Sequence, residues 1–472
     1  MKRLLAIEFV ILAVFVLLGN GIRSIGMSTV LVSQGEFASF LNISAERTDM
    51  LIESIMGGSL LALALAPFLI TPHGAMRLAR NAAILAVLCY GAVGITMHVN
   101  PSLITREVVV IAAFAFGGFA VAFFAPLAQL AIGQEPDARA QSALTTVWTA
   151  AQPIALLATP QLVKYVAFDI GVGNFFFVLA ALPVVFLLFV PVVFAKPADQ
   201  PQPRQVEVPW RQLAVFVLLI LLFQASTISV SLAGIDHLAT HALMALVLVA
   251  GAAMVVFRQR LTNGPVDLPA GVGTLMAVLF LLQISSTGLY DTAYLVRHLC
   301  SVGFIADRAT YGAMAQIAGV FGAGAILLRW PQSQNPLLWL ALTLGFIGSA
   351  LMLTYPGRTT DALLLITSKA ILSGGVGIGT AVLVRAILAA AGTNAVIVMA
   401  PAFLILLGTE VGMESLQIVF QTTTLAGFDE NVAYENVFMV QAVSIVVAIA
   451  VLLFGRAPQF VAAAQRAETA RR

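Results

Sequence analysis

Fourteen apolar segments, each long enough to cross a bilayer and separated by short polar turns, fill this chain from Leu4 to Gly455. An apolar helix of about 20 residues spans a hydrocarbon core of roughly 30 Å, and within that core only helices or closed barrels satisfy their own backbone polar groups. The chain therefore reads as an all-α polytopic membrane protein. A composition 60% hydrophobic and 10% charged agrees, and a net charge of +2 is too small to point to a nucleic-acid partner. Nearly all of the chain is used for spanning, so any chemistry is expected inside the helix bundle. The apolar run after Lys2 and Arg3 continues toward Leu31 without a small-residue cleavage site, and is read as a retained first helix. Cys89 and Cys300, far apart and in or beside apolar segments, read as small hydrophobes rather than a disulfide.

The helices are expected near 5–31, 50–71, 81–98, 107–133, 141–164, 172–195, 212–234, 239–257, 270–295, 309–330, 335–355, 361–386, 394–417 and 435–455. With the N-terminus inside, the cytoplasmic segments hold 16 basic residues and the outer segments 6, while Arg23 and Lys369 fall within helices. That asymmetry obeys the positive-inside rule and places both termini in the cytoplasm. The strongest composition break is Lys196 to Pro209, whose prolines and charges cannot form a buried helix. Six segments precede it and eight follow. The expected division is an N-terminal six-helix bundle over 1–195, a cytoplasmic linker over 196–211, an inserted helix pair over 212–260, a C-terminal six-helix bundle over 261–456 and a tail over 457–472. Two six-helix halves around a midplane site is one way secondary transporters are built.

Local sequence adds a family. Pro126-Leu127-Ala128-Gln129 near the end of the fourth segment, Glu135-Pro136-Asp137-Ala138-Arg139 in the next turn, and Ala143 to Trp148 opening the fifth form one such stretch. Together with Pro160, and with Asn174-Phe175-Phe176-Phe177 ahead of Pro183, it resembles the major facilitator superfamily. Within that superfamily the layout is similar to the fourteen-helix drug:proton antiporter branch. The resemblance covers the whole chain in topology and about sixty residues in motif. It implies two facing six-helix bundles, no cofactor and no enzymatic activity, with protons as the coupling ion. It also implies an inner-membrane location in a bacterium; a periplasmic adaptor would be compatible but nothing in the short outer loops indicates one.

The departures from the family pattern are specific. In the loop between the second and third segments Gly74 and Arg77 remain, while Thr71 stands where the family places a gate-latching Asp. In the fifth segment Ala155 and Thr159, ahead of Pro160, replace the antiporter glycines and are still small enough for close helix packing. Phe114 occupies the family's buried Arg position, and the first helix has only Glu8 as an acid.

A charge at the centre of a membrane helix costs roughly 2.5–3.5 kcal/mol on insertion scales, so such residues usually face a partner, a cavity or water. Arg23, Glu53, Asp291, Lys369, Glu410 and Glu414 all fall within segments, in the outer half of the expected topology. Each is either a helix-end residue reaching interfacial water or part of a proton-coupling or gate ion-pair set. Glu410 and Glu414, four apart, share a helix face where one carboxyl of a close pair can hold an exchangeable proton; alternatively Lys369 neutralises Glu410. Glu53 and Arg23 would form a second pair. Gln152, Gln129, Gln283 and Asn20 are substrate-path candidates, with interhelical hydrogen bonding as the plainer reading. The glycine run Gly374 to Gly379 has no strand before it and reads as close packing, not a dinucleotide loop. No metal set is expected, since His237 and His241 lack a third ligand.

These features point to a secondary transporter moving a small organic molecule by alternating access, with proton-coupled export as the leading reading and an uptake symporter or a lipid-like flippase as alternatives. A non-transporting scaffold or sensor is the reading from a different class, but it has no need of charges deep in helices. No GxSxG, HExxH or Walker A motif is present. If the charge asymmetry sets the topology, cysteines placed at Arg204 and Arg308 will react with impermeant reagents from opposite faces of the membrane. Labelling of both from one face would overturn it.

Overall fold

The computed structural model describes residues 7–43, 48–70, 74–194, 210–256, 271–288, 294–295, 302–357, 361–391 and 394–455. Every expected segment contains helix. In chain order the helices are α1 (Ile7–Val32), α2 (Gln34–Leu41), α3 (Asp49–Leu69), α4 (Ala75–Val99), α5 (Leu103–Ala122), α6 (Phe124–Gly133) and α7 (Ala138–Leu162). A π-helical turn, Val163–Ala167, follows Pro160 and leads to the single turn α8 (Phe168–Ile170). Then come α9 (Val172–Phe194), α10 (Trp210–Ala233), α11 (Leu238–Val256), α12 (Val272–Ser286), α13 (Val302–Arg329), α14 (Gln334–Met352), α15 (Ala362–Ala391), α16 (Ala395–Leu425) and α17 (Glu430–Phe454). Among the described residues, 11 helices are long and apolar enough to cross a membrane, α5 and α6 counting as one. The chain is an integral membrane protein. α7 and the shorter apolar helices Leu238–Ala253 and Val272–Ser286 occupy the remaining expected segments.

The chain divides into two compact units. The first comprises Met1–Glu135, Ala158–Asp267 and Thr393–Met399, and the second Pro136–Leu157, Leu268–Gly392 and Ala400–Arg472. In the first, α1 packs on α6 and α9, α3 on α5, and α4 on both α5 and α9. In the second, α12 packs on α15 and α17, α13 on α15, and α14 on both α15 and α17. With α5 and α6 taken as one span, the two pairing patterns are the same with each helix moved eight spans along the chain. α10 packs on α3 and on α11, within the first unit.

Glycine makes these crossings close. Lipid tails are as apolar as the helix surfaces, so helices in a membrane associate through close packing and small residues. At the α3–α5 crossing, Gly58 lies against the Ala115 carbonyl and Gly118 against Ile55, with Ser59 Oγ donating to the Gly118 carbonyl at 3.1 Å. At the α13–α15 crossing a Cβ on Gly319 would meet the Gly374 carbonyl at 2.5 Å, and Gly377 lies against the Gln316 carbonyl. On other faces of α15, a Cβ on Gly375 would meet the Ala341 carbonyl at 2.7 Å and one on Gly379 would meet Leu282 at 2.6 Å. The glycine run is thus packed on three helices.

Several boundaries move by five residues or more relative to the sequence expectation, and two of these shifts re-place polar residues. α13 begins at Val302, so Arg308 lies inside the helix rather than in a loop; it is buried, and its Nε donates to the Leu365 carbonyl at 3.0 Å. That bond anchors the start of α13 to α15 and explains how a cation is held there. α16 runs to Leu425, eight residues past the expected end. Arg308 is consequently unsuited as a labelling site, and Ser102, exposed ahead of α5, serves in its place.

Replacing Gly58 by Val should destabilise the first unit by about 2 kcal/mol or more, because the clash is with backbone that has no rotamer to yield. Gly91→Val, at a glycine with open space around it, should leave the thermal midpoint within a degree or two. Equal midpoints for the two variants would contradict the crossing.

Candidate functional site

The polar residues expected within the helices separate into two groups, one in each unit. In the second unit α16 carries Glu410 and Glu414, respectively 0% and 5% exposed. Neither reaches interfacial water from a helix end. Glu410 lies 15 residues from Ala395 and 15 from Leu425, the midpoint of the helix and about 22 Å from either end at 1.5 Å per residue. The opposite face of α16 is set by Gly408 and Gly412, two positions before each acid. Cβ atoms there would meet the Phe280 carbonyl at 2.7 Å and Thr287 Oγ1 at 2.5 Å, so this face lies on α12 and the carboxylates point away from it.

Gln417 and Gln421 continue the acid face at spacings of three and four residues, which places all four side chains within about 60° around the helix. Exposure rises along the row, from buried Glu410 and Glu414 to half-buried Gln417 and Gln421. The result is a polar stripe from the middle of α16 to its C-terminal end. Chain spacing carries this signal, but ending the helix at 417 cut the stripe in half. Lys369 lies only seven residues into α15, about 10 Å from its N-terminus, and its stem packs on Gly312 of α13. It is therefore shallower in its helix than Glu410.

The amides divide by role. Gln283 donates from Nε2 to Thr380 Oγ1 at 2.9 Å, an interhelical bond between α12 and α15. Gln441 of α17, which the sequence reading passed over, donates to the carbonyl of Thr287 at 2.5 Å. That residue ends α12 in an extended conformation, and Ser285, Ser286 and Thr287 each turn a hydroxyl back to the carbonyl three residues earlier. Gln152 is half-buried on α7. Gln129 differs from all of these: it is 0% exposed on α6, and neither its Oε1 nor its Nε2 has a hydrogen-bond partner among the described residues.

The first unit also holds Arg23 on α1, 5% exposed, while Asn20, Ser24 and Ser28 are buried in a separate row about 100° around the helix from it. Gly19 and Gly26 place Arg23 in the unit's interior, since it lies one turn from each and on their face. A Cβ on Gly19 would meet Ala128 and the Phe124 carbonyl of α6 at 2.8 Å, and one on Gly26 would meet the Tyr90 hydroxyl of α4 at 2.6 Å. Below that level Phe186 stacks on Phe15 at 4.5 Å and on Phe124 at 4.3 Å, closing the bundle with aromatic rings. Glu53, 4% exposed, is buried one turn into α3. Phe114, at the family's Arg position, packs edge-on against Phe37 and tilted on Phe176, as part of the core.

The remaining positions are peripheral or outside the described residues. Gly74 precedes α4, Arg77 is exposed in its first turn, and Thr71 and Asp291 fall among residues not described. On α7, Ala155 and Thr159 are buried and Pro160 is exposed. Cys89 is a buried free thiol. Among the described residues no three His, Cys, Asp or Glu side chains are grouped to hold a metal.

No protein-family model matches this chain, and no curated protein matches it in sequence. Solved structures do match. The human organic anion transporter MFSD10 (TETRAN) superposes with a TM-score of 0.63 at 14% identity, covering 95% of this chain and 100% of the other. A bacterial homologue of the iron transporter ferroportin, in an outward-facing state, gives 0.63 at 10% identity, over 95% and 99%. The major facilitator superfamily proton:xylose symporter XylE, bound to 6-bromo-6-deoxy-D-glucose, gives 0.57 at 16% identity, over 93% and 94%. The fold is the major facilitator fold. These likenesses extend over nearly the whole of each chain, so the fold accounts for both units and not for one alone.

Replacement of Gln129 by the similarly sized Met tests the unbonded amide. Removing a buried polar group that has no partner should stabilise the protein by about 1–2 kcal/mol, seen as a raised thermal midpoint. An unchanged or lowered midpoint would show that the amide is bonded in the membrane.

Proposed function

We propose that this protein is a secondary active transporter of a small organic molecule, working by alternating access and coupled to protons, with export as its direction. The single observation that carries the coupling is the pair of buried carboxylates, Glu410 and Glu414, at the head of a polar stripe at the centre of α16. A carboxylate buried midway along a membrane helix is costly, and binding a proton removes the charge. If the two transport states bind that proton with different affinity, a proton gradient biases the balance between them. Gln417 and Gln421 supply hydrogen-bonding groups for water between the acids and the end of the helix.

The repeated pairing pattern supports a six-two-six arrangement of fourteen membrane crossings, with α10 and α11 as the inserted pair and the drug:proton antiporter branch as the relative. Export follows from that branch alone. XylE is a proton:xylose symporter, and the same acids would serve a symporter with the sign of coupling reversed. By the charge asymmetry both termini and the 196–211 linker belong on the cytoplasmic side, and the family resemblance suggests a bacterial inner membrane.

Proteoliposomes with an internal pH-sensitive dye should show proton movement on addition of a transported compound. Glu410→Gln should abolish that movement and proton-driven accumulation, while exchange of compound between equilibrated compartments stays within about twofold of wild type. Wild-type proton movement in the variant would remove Glu410 from the coupling site. The direction of proton movement relative to the compound separates antiport from symport.

A further inference from the structure

α12 stops at Ser286, deep inside the second unit, and oxygens from two other helices lie at the same level. Thr287 is 15 residues from Val272 at the start of α12, and Ser349 is 15 from Gln334 at the start of α14, about 22 Å along each axis. Gln441 is 13 residues, about 20 Å, from the end of α17 at Phe454. Those three helix ends lie together. A Cβ on Gly455 would meet Thr274 of α12 at 2.5 Å, and one on Gly379 of α15 would meet both Leu282 of α12 at 2.6 Å and Ala341 of α14 at 3.3 Å. The faces agree as well: a Cβ on Gly345 would meet Ile445 at 3.1 Å, and Ser349 and Gln441 each lie one turn further from those ends, along α14 and α17. Ser285 is three turns beyond Thr274, on the face of α12 turned to α17.

Most protons at this level are already committed. Ser285 donates its own to the Leu282 carbonyl at 2.7 Å, and Gln441 donates from Nε2 to the Thr287 carbonyl. Because a carbonyl can only accept, that bond fixes the amide with Oε1 at its other end, and Oε1 has no hydrogen-bond partner among the described residues. Ser368 and Ser444 turn their hydroxyls back onto their own helices. Ser349 does not: it is 0% exposed, and its Oγ has no partner among the described residues. Lone pairs therefore outnumber protons, since the Ser285, Ser349 and Gln441 side-chain oxygens have only the Ser349 proton uncommitted. The C-terminal end of α12 adds the negative end of its helix dipole.

We propose that these three oxygens seat a sodium ion between α12, α14 and α17. Oxygen ligands suit a hard cation, and a ligand set without a carboxylate suits a monovalent one. The carbonyl end of a helix that stops inside the membrane is a place where transporters hold such ions. Ser286 and Gly288, half-buried on either side of Thr287, give the ion its way in. The binding does not depend on the transporter reading.

The test reads binding by the full chain in lipid nanodiscs, with sodium, potassium or choline chloride at one ionic strength. An ion bound by the folded protein raises its thermal midpoint with concentration. Sodium should raise it by a few degrees between about 1 and about 100 mM, potassium by less than about half as much, and choline not at all. Retention of radioactive sodium should saturate near about one ion per chain. Ser349→Ala, too small a change to threaten folding, should raise the sodium needed about tenfold, and Gln441→Leu should abolish both signals.

Equal midpoints in sodium and choline, with no sodium retained, would leave a water molecule between Ser349 and Gln441 and overturn the site. An equal response to potassium would overturn sodium as the ion. Wild-type sodium dependence in Ser349→Ala would place the ion elsewhere, and loss of binding in Glu410→Gln with Gln441→Leu unaffected would place it on the acid stripe; either result overturns the proposal. Proton movement in proteoliposomes is a separate readout, so failure here leaves the coupling role of Glu410 standing.

Discussion

Backbone-to-backbone approach at glycine is the contact on which the rest of this protein depends. Within a bilayer a helix gains nothing by hiding apolar side chains from lipid, so what holds one helix to a particular neighbour is the closeness of fit. Gly58 and Gly118 bring α3 onto α5, and Gly319, Gly374 and Gly377 bring α13 onto α15. Where these backbones meet, side chains on the flanking turns are fixed in direction. The same device turns α16: because Gly408 and Gly412 sit on α12, Glu410 and Glu414 must point the other way. The site's orientation is therefore a consequence of small residues that have no chemistry of their own.

The sequence made the helices legible because spanning lipid demands long apolar runs, and it made the depth of the charges only partly legible. Run length failed at Arg308 and at Gln417 to Gln421 for one reason: an apolar run marks where a helix touches lipid, not where its backbone hydrogen bonds end. Arg308 is tied to the Leu365 carbonyl and buried in protein, so the helix continues through it. Gln417 and Gln421 lie on one face only, and the other faces of α16 carry it on to Leu425. The amides show the opposite limit. Gln283, Gln441 and Gln129 are indistinguishable as letters, yet one bridges α12 and α15, one holds the end of α12, and one has no partner among the described residues.

The helix pairings recur after eight spans, and that recurrence separates what the fold requires from what it does not. A charge needed to hold such a six-helix arrangement together would be needed in both copies. The span matching α1 is α12, which contains no Asp, Glu, Lys or Arg, and the span matching α16 by the same count is α7, which has no acid and only Arg139 in its first turn. Arg23, Glu410 and Glu414 are thus single additions to a scaffold built twice without them. A stability role accounts poorly for a cost carried in one copy only, whereas a binding or coupling role needs each group once. The repeated pairing is what the two six-helix sets share, and the unrepeated charges are where they differ.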